Sequence, residues 1–221
     1  MKKILTILFL TLFTGASYAE MSFGVSGAFT RIEADGSEVE GGETTNKSVS
    51  NDAIIPSLFV EMGVTDRITL GLDYIPIDAD VSDKTHSRTD TETSVTGTST
   101  TTSTSRTQKA DAELTDHISL YADIGLNDDV YLKLGVVQVD LNTNESLGTG
   151  SKYSNETING TIVGFGFRKD ASVGKFMKVE FIYTDYEDIA INSSVARTGV
   201  STNNRITADL DTTAIKLSYA F

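Results

Sequence analysis

The feature that most constrains this chain is a period-two alternation of apolar and polar residues that recurs eight times. Alternation of this kind is the mark of a strand with two unlike faces. The stretches run Met21 to Ile32, Ala53 to Val64, Ile68 to Ala79, Ala112 to Leu126, Val130 to Leu141, Ile158 to Arg168, Lys175 to Ile191 and Ile206 to Phe221. Their connections alternate too. Those after the second, fourth and sixth stretches are short (Thr65-Asp66-Arg67, Asn127-Asp128-Asp129, and Lys169 to Gly174), and the others are long and polar. A soluble sandwich has no reason to gather every short turn at one end. A transmembrane barrel does, with short periplasmic turns and long extracellular loops. Strands of about ten residues also suit a tilted bilayer crossing.

The two faces differ in kind. On the last stretch Thr213, Ile215, Leu217, Tyr219 and Phe221 share one side, and Thr212, Ala214, Lys216, Ser218 and Ala220 share the other. The same division holds for Ile68, Leu70, Leu72 and Tyr74 against Thr69, Gly71 and Asp73, and for Val130, Leu132, Leu134 and Val136 against Tyr131, Lys133 and Gly135. A soluble barrel such as a lipocalin would bury the large apolar residues and turn the charges out. Small residues with charge inward, under a continuous apolar band outward, is the arrangement lipid requires. The expected fold is all-β: an eight-stranded antiparallel up-and-down transmembrane β-barrel.

The first residues read as an export signal. Met1-Lys2-Lys3 is basic, Ile4 to Phe13 is apolar, and Ser17 and Ala19 are the small residues of a cleavage site. The apolar run is too short to span a bilayer of about 30 Å. Residues 1–19 are therefore expected to leave, and 20–221 to form the barrel. With Lys2 and Lys3 gone, 31 acidic residues face 16 basic ones, a net charge of −15. That balance argues against binding nucleic acid through its phosphates. Cys is absent and His occurs only at positions 86 and 117. Disulfide scaffolds, thiolate metal sites, nucleophilic cysteines and a lipoprotein anchor are excluded, and neither a metal nor a cofactor is expected.

In its eight alternating stretches, its leader and its ending Lys216-Leu217-Ser218-Tyr219-Ala220-Phe221, the chain resembles small outer-membrane β-barrel proteins of Gram-negative bacteria, of the general OmpA/OmpX-like type. The resemblance covers the mature chain as architecture. It implies an outer-membrane location, contact with outer-membrane lipids and lipopolysaccharide, and passage through periplasmic chaperones to the barrel-insertion machinery. In that group an alternating C-terminal strand with a final Phe is the insertion signal, and Ile215, Leu217, Tyr219 and Phe221 match it.

Inward charges are costly unless paired. Glu61, Asp73, Asp123, Lys133, Glu180 and Lys216 stand at similar heights above the short turns, with Lys178 beside them and Arg168 lower. An eight-stranded barrel is just wide enough for side chains to fill it. Two arrangements follow: a crossing layer of ion pairs that plugs the lumen, or a narrow wet channel with loose pairing. The corresponding functions are a structural or surface-interaction protein, and a porin-like path for small solutes or ions.

A lipid-modifying enzyme is the remaining class. His117-Ile118-Ser119 resembles the His/Ser pair of outer-membrane lipid A deacylases, but parity turns both side chains to the lumen and Leu120-Tyr121-Ala122 departs from that motif. No catalytic residue is assigned. Asp185, Glu187 and Asp188 read as solvated charge near the far end of the seventh stretch. Phe23, Phe176, Tyr131, Tyr219 and Phe221 read as interface anchors beside the short turns, and Tyr74 and Tyr183 as anchors further out. Residues 81–109 hold 17 Ser or Thr among 29 and almost nothing apolar. This segment is expected to be a mobile loop, either a surface for an extracellular partner or a hydrophilic shield. Asp35 to Asp52 is expected to be a second such loop.

Overall fold

The computed structural model describes residues 21–40, 42–96, 100–147, 151–195 and 202–221. They form twelve strands: β1 (Met21–Glu40), β2 (Glu43–Thr65), β3 (Ile68–Tyr74), β4 (Ala79–Asp80), β5 (His86–Thr96), β6 (Thr100–Ala110), β7 (Ala112–Gly125), β8 (Val130–Thr143), β9 (Glu156–Ser172), β10 (Lys175–Tyr186), β11 (Ile189–Asn192) and β12 (Arg205–Ala220). Eight of them close a ring in the order β1-β2-β3-β7-β8-β9-β10-β12, and β12 returns to β1 through a ladder from Gly24↔Ala220 to Val39↔Arg205. Every neighbouring pair in the ring is antiparallel. The expected eight-stranded barrel is the fold.

Local chemistry sets the short turns. Thr65 Oγ1 accepts from the amides of Arg67 (3.2 Å) and Ile68 (3.0 Å), which closes the β2–β3 turn. Asn127 Oδ1 accepts from Asp129 N (3.0 Å) and Val130 N (2.9 Å) between β7 and β8. Such side-chain bonds imitate a backbone turn. Gly174, with φ of 73°, takes the left-handed position of the β9–β10 turn.

Outward positions carry one apolar belt. Phe23, Val25, Phe29, Ile54, Leu58, Leu132, Leu134, Phe165, Phe167, Met177, Val179, Ile215 and Leu217 are all exposed, Ile54 by 77%. A contiguous apolar surface of this extent is not left to water. Phe165 stacks on Phe181 across β9 and β10 with ring centroids 5.7 Å apart. Above the belt the outward residues become charged: Arg31, Glu33, Asp35, Asp52, Asp185, Asp209 and Asp211.

The strands depart from the sequence expectation mostly by being longer. β1 has 20 residues and β2 has 23. At about 3.3 Å per residue, 20 residues reach about 66 Å, twice the roughly 30 Å of a hydrocarbon core. Asp35 to Asp52 is therefore no loop: it is the β1–β2 ladder, which continues to Glu40↔Glu43. Residues 81–109 are corrected likewise. Most of them form β5 and β6, a separate two-stranded sheet from His86↔Ala110 to Thr96↔Thr100. A ladder needs main-chain pairing rather than a core, and β-branched Thr suits it. Val81 turns inward and is buried.

Two stretches are broken. The third stops at Tyr74, and β4 resumes at Ala79 along β7. Along Glu43–Ser57, β2 is laddered to β1 alone, and Asn51 Nδ2 donates to Asp80 O (2.8 Å) across the open side. Pro56, with no amide proton to offer, stands on this open segment, where proline is tolerated. The seventh stretch is interrupted after Tyr186 and resumes as β11. In β7 the register slips between Thr115 and Ile118, and Asp116 adopts φ of 52°. That bulge exchanges the faces: Leu114 points in below the slip in sequence, and His117 and Ser119 point in after it.

Candidate functional site: a charged floor and an apolar cup

The lumen has two unlike halves. Towards the short turns it is filled by charge. Lys178 Nζ bonds Glu61 Oε1 and lies 2.8 Å from Asp123 Oδ2 and 3.4 Å from Glu180 Oε1. Lys133 Nζ lies 2.9 Å from Asp123 Oδ1 and 3.0 Å from Glu180 Oε1. Arg168 closes the lower side, its Nη1 3.5 Å from Glu61 Oε2 and its guanidinium stacked 3.7 Å over the Phe176 ring. A separate pair, Lys216 Nζ to Asp73 Oδ2 at 2.5 Å, is extended through the hydroxyls of Ser57 (2.9 Å) and Ser26 (2.6 Å). All eight residues singled out in the sequence meet in these two groups. Four acids face four bases, so the set is neutral as a whole.

Two tyrosines belong to the same assembly: Tyr121, which the sequence did not single out, and Tyr131, which it offered as an interface anchor. Tyr121 donates to Glu61 Oε1 (2.7 Å) and Tyr131 donates to Glu180 Oε1 (2.8 Å). Lys133 Nζ sits 3.1 Å over the Tyr121 ring. Each ring lies across a glycine on the next strand, Tyr121 on Gly71 and Tyr131 on Gly166. A Cβ at either glycine would enter the ring. The legible signal was a lumen-facing Tyr directly opposite a lumen-facing Gly, visible once the register is known. Tyr131 and Phe176 are therefore buried lumen residues rather than interface anchors; Phe176 packs on Phe59 with centroids 6.1 Å apart. Phe23, Tyr219 and Phe221 do face outward.

Above the charged layer the inward face is apolar, which corrects the expectation of small and charged residues throughout. Ile32, Val81, Leu114, Val137, Val139, Leu141, Ile158, Ile162, Tyr186, Ile189, Ile191 and Leu210 form one buried cluster. The whole-strand pattern hid it, because Ile189, Ile191 and Leu210 belong to the prolongation of the barrel. The upper part of this cluster walls a cup of about 460 Å³. Its rim is polar. Glu38 accepts from Tyr153 (2.9 Å) and from Asn204 Nδ2 (3.2 Å), and burial, then Glu38, pushes the Tyr153 hydroxyl pKa up. Lys47 and Lys109 are exposed on the rim. A smaller space of about 100 Å³ separates cup and floor, lined by Ile55, Leu114, His117 and Lys216 among others.

Two His–Ser pairs stand in the lumen and at its rim. His117 and Ser119 both face the lumen, and among the described residues no hydrogen bond joins them; His117 Nδ1 is buried without a partner. At the rim Ser82 Oγ lies 3.0 Å from His86 Nε2. Ser82 Oγ also lies 3.0 Å from Lys84 O, so that carbonyl competes with His86 for the hydroxyl proton. Burial, then Lys47 and Lys84, lowers the His86 pKa.

Ile215, Leu217 and Tyr219 form one outward row on β12, laddered against Phe29, Gly27 and Val25, and Phe221, just past its end, continues the row and donates its N–H to Phe23 O (2.9 Å). Asp185, Asp209 and Asp211 sit on adjacent outward positions, with Glu33 opposite Asp211 and Asp35 opposite Asp209. The expected leader, residues 1–19, lies outside the described residues.

No family model matches the chain, and no curated protein matches it. Solved structures do. The chain is similar to outer membrane protein AlkL, determined by solid-state NMR in lipid bilayers, with 14% identity, 93% of this chain and 92% of that one covered, and a TM-score of 0.51. It also matches outer membrane protein OprG from Pseudomonas aeruginosa (13% identity, 92% and 97% covered, TM-score 0.49) and outer membrane protease OmpT from Escherichia coli (12%, 91% and 96%, TM-score 0.46). The ring of eight antiparallel strands, its outward apolar belt and the likeness to AlkL agree: the fold is that of an outer-membrane β-barrel.

Proposed function

We propose that the protein is a non-enzymatic, integral outer-membrane barrel with a structural or surface-interaction role, its lumen closed to steady ion flow by the charged layer. The observation that carries this reading is the Lys178–Glu61–Asp123–Lys133–Glu180 network, whose members come from β2, β7, β8 and β10 and reach one another across the lumen. A water-filled pore would leave such charges hydrated and apart; here all five are buried and paired.

The outward belt meets outer-membrane lipid, and the charged residues above it meet the lipopolysaccharide headgroups. The short-turn end faces the periplasm. The long prolongations and the β5–β6 hairpin stand outside, available to an extracellular partner. The β12 row ending at Phe221 suits delivery by periplasmic chaperones to the barrel-insertion machinery, after an export signal in residues 1–19 has been removed.

Single-channel recording of the refolded protein in a planar bilayer at neutral pH tests the closed lumen. Silence is expected. Steady openings would overturn the reading in favour of a narrow channel for small solutes or ions.

A further inference from the structure

We propose that the cup above the charged floor is a binding site for an uncharged, mainly apolar small molecule. The inference adds a ligand to the closed barrel and does not need the lumen to be silent. Three observations carry it. The first is the wall: Leu141, Ile189, Ile191, Ile206, Ala208 and Leu210 line the cup with hydrocarbon from β8, β11 and β12. The second is size. About 460 Å³ lies within the range of small-molecule pockets, about 300–1,000 Å³, and is far more than side-chain packing leaves by accident.

The third is the position of the charges. Those that line the cup, Glu38, Glu40, Lys47, His86, Lys109, Asp111 and Glu145, come from β1, β2, the β5–β6 hairpin and the connections beside β7 and β8, none from β11 or β12, and the buried acids and bases of the floor are paired with one another. Water needs two to four polar partners to settle in a cavity; the hydrocarbon of Leu141, Ile189, Ile191, Ile206, Ala208 and Leu210 offers none, and the polar lining, Ser37, Thr45, Ser82, Thr143 and Ser193 among it, leaves that side to an apolar guest. An apolar space that water fills poorly is stabilised by an apolar guest. Four acids around the rim, Glu38, Glu40, Asp111 and Glu145, against Lys47 and Lys109 do not suit an anion, and the β11–β12 wall offers a cation no partner.

The test is methyl NMR of the refolded protein in bilayers of deuterated lipid, with the isoleucine methyls labelled and naphthalene as the probe. Ring currents report where the probe sits. Ile189, Ile191 and Ile206 report the cup; Ile54 and Ile215, on the outward face, report probe dissolved in lipid. Saturable shifts at the three cup methyls are expected, with only a linear drift at the two outward ones. Ala208→Phe and Ala112→Phe fill the cup from different strands, and each should abolish the saturable shifts while the outward methyls keep their positions. 2-Naphthoate, the same shape with a charge, should bind at least tenfold more weakly.

Cup methyls that drift no more than the outward ones would overturn the proposal, as would saturable shifts that survive both substitutions. Tighter binding of 2-naphthoate would overturn the ligand class. The conductance of the same preparation is read separately, so loss of the closed-lumen reading and loss of the cup as a site are distinguishable.

Discussion

Lys133 shows what one lumen residue does. Its ammonium joins Asp123 to Glu180 and lies on the Tyr121 ring. Lys133→Glu would place a third acid beside two others in a buried site. Removing one partner from a buried ion pair costs about 3–5 kcal/mol. A loss of at least that size is expected in urea unfolding in lipid vesicles, and a loss below about 1 kcal/mol would mean that the charges are hydrated. The glycines beneath the tyrosines act by space instead. Gly166→Ala pushes the Tyr131 ring away from Glu180. Overpacking of this kind costs about 1–3 kcal/mol. The double variant Gly166→Ala/Tyr131→Phe should cost less than the sum of the two single changes, because the ring no longer has a bond to lose. Additive costs would separate the glycine from the hydrogen bond. The charged residues were legible from alternation alone, since a charge on the lumen face is conspicuous. Tyr121 and Tyr131 were not, because an aromatic on a strand reads equally well as an anchor or as filling until its cross-strand partner is known.

The β5–β6 hairpin is the clearest case at the scale of an element. Its ladder is a sheet of its own, and its first and last residues carry it into the cup rim at His86 and Lys109. Replacing residues 90–106 by Asn-Gly would leave Thr89 and Thr107, which are already paired, joined by a two-residue turn. The shortened barrel should unfold at an unchanged midpoint in thermal circular dichroism, since the removed segment is laddered to no ring strand; a drop of more than a few degrees would show that it supports the ring. The sequence hides this element because low apolar content reads as absence of structure. Two edges can satisfy each other's amides and carbonyls without burying anything. The open side of β2 was hidden for another reason: Pro56 is visible in the sequence, whereas the loss of β3 as a neighbour above Tyr74 is decided by where β3 turns away.

Across the whole molecule outward acids gather above the lipid belt, Glu33, Asp35, Asp185, Asp209 and Asp211 among them. Asp209 has its pKa raised by its hydrogen bond to Asp188 and by that residue's charge; Asp211 has its pKa raised by partial burial and then by Glu33, Asp185, Asp35 and Asp209. A carboxyl whose folded pKa lies above its unfolded value holds protons more tightly in the fold. It therefore opposes folding at neutral pH, and the opposition fades as pH falls towards the ordinary carboxylate value. Asp211→Asn should raise the neutral-pH unfolding midpoint and have no effect near pH 3. A variant less stable than the parent at neutral pH would show that Asp211 is held by a favourable contact instead. Salt should narrow the difference, because these charges face water.

The residues by themselves determined the eight crossing strands, which face of each meets lipid, and which charges enter the lumen. These follow from a period of two and from the cost of leaving a charge in hydrocarbon, and both act strand by strand. Only the closed ring decided the rest. Register placed Tyr121 over Gly71, the bulge at Asp116 set which side of β7 faces in on either side of it, and the prolongation of β1, β2, β8, β9 and β12 gathered isoleucines and leucines from separate segments into one apolar cup. Alternation within a strand says that a residue points inward; it carries no information on the height at which residues of eight strands meet, and that height is fixed by the stagger of the barrel.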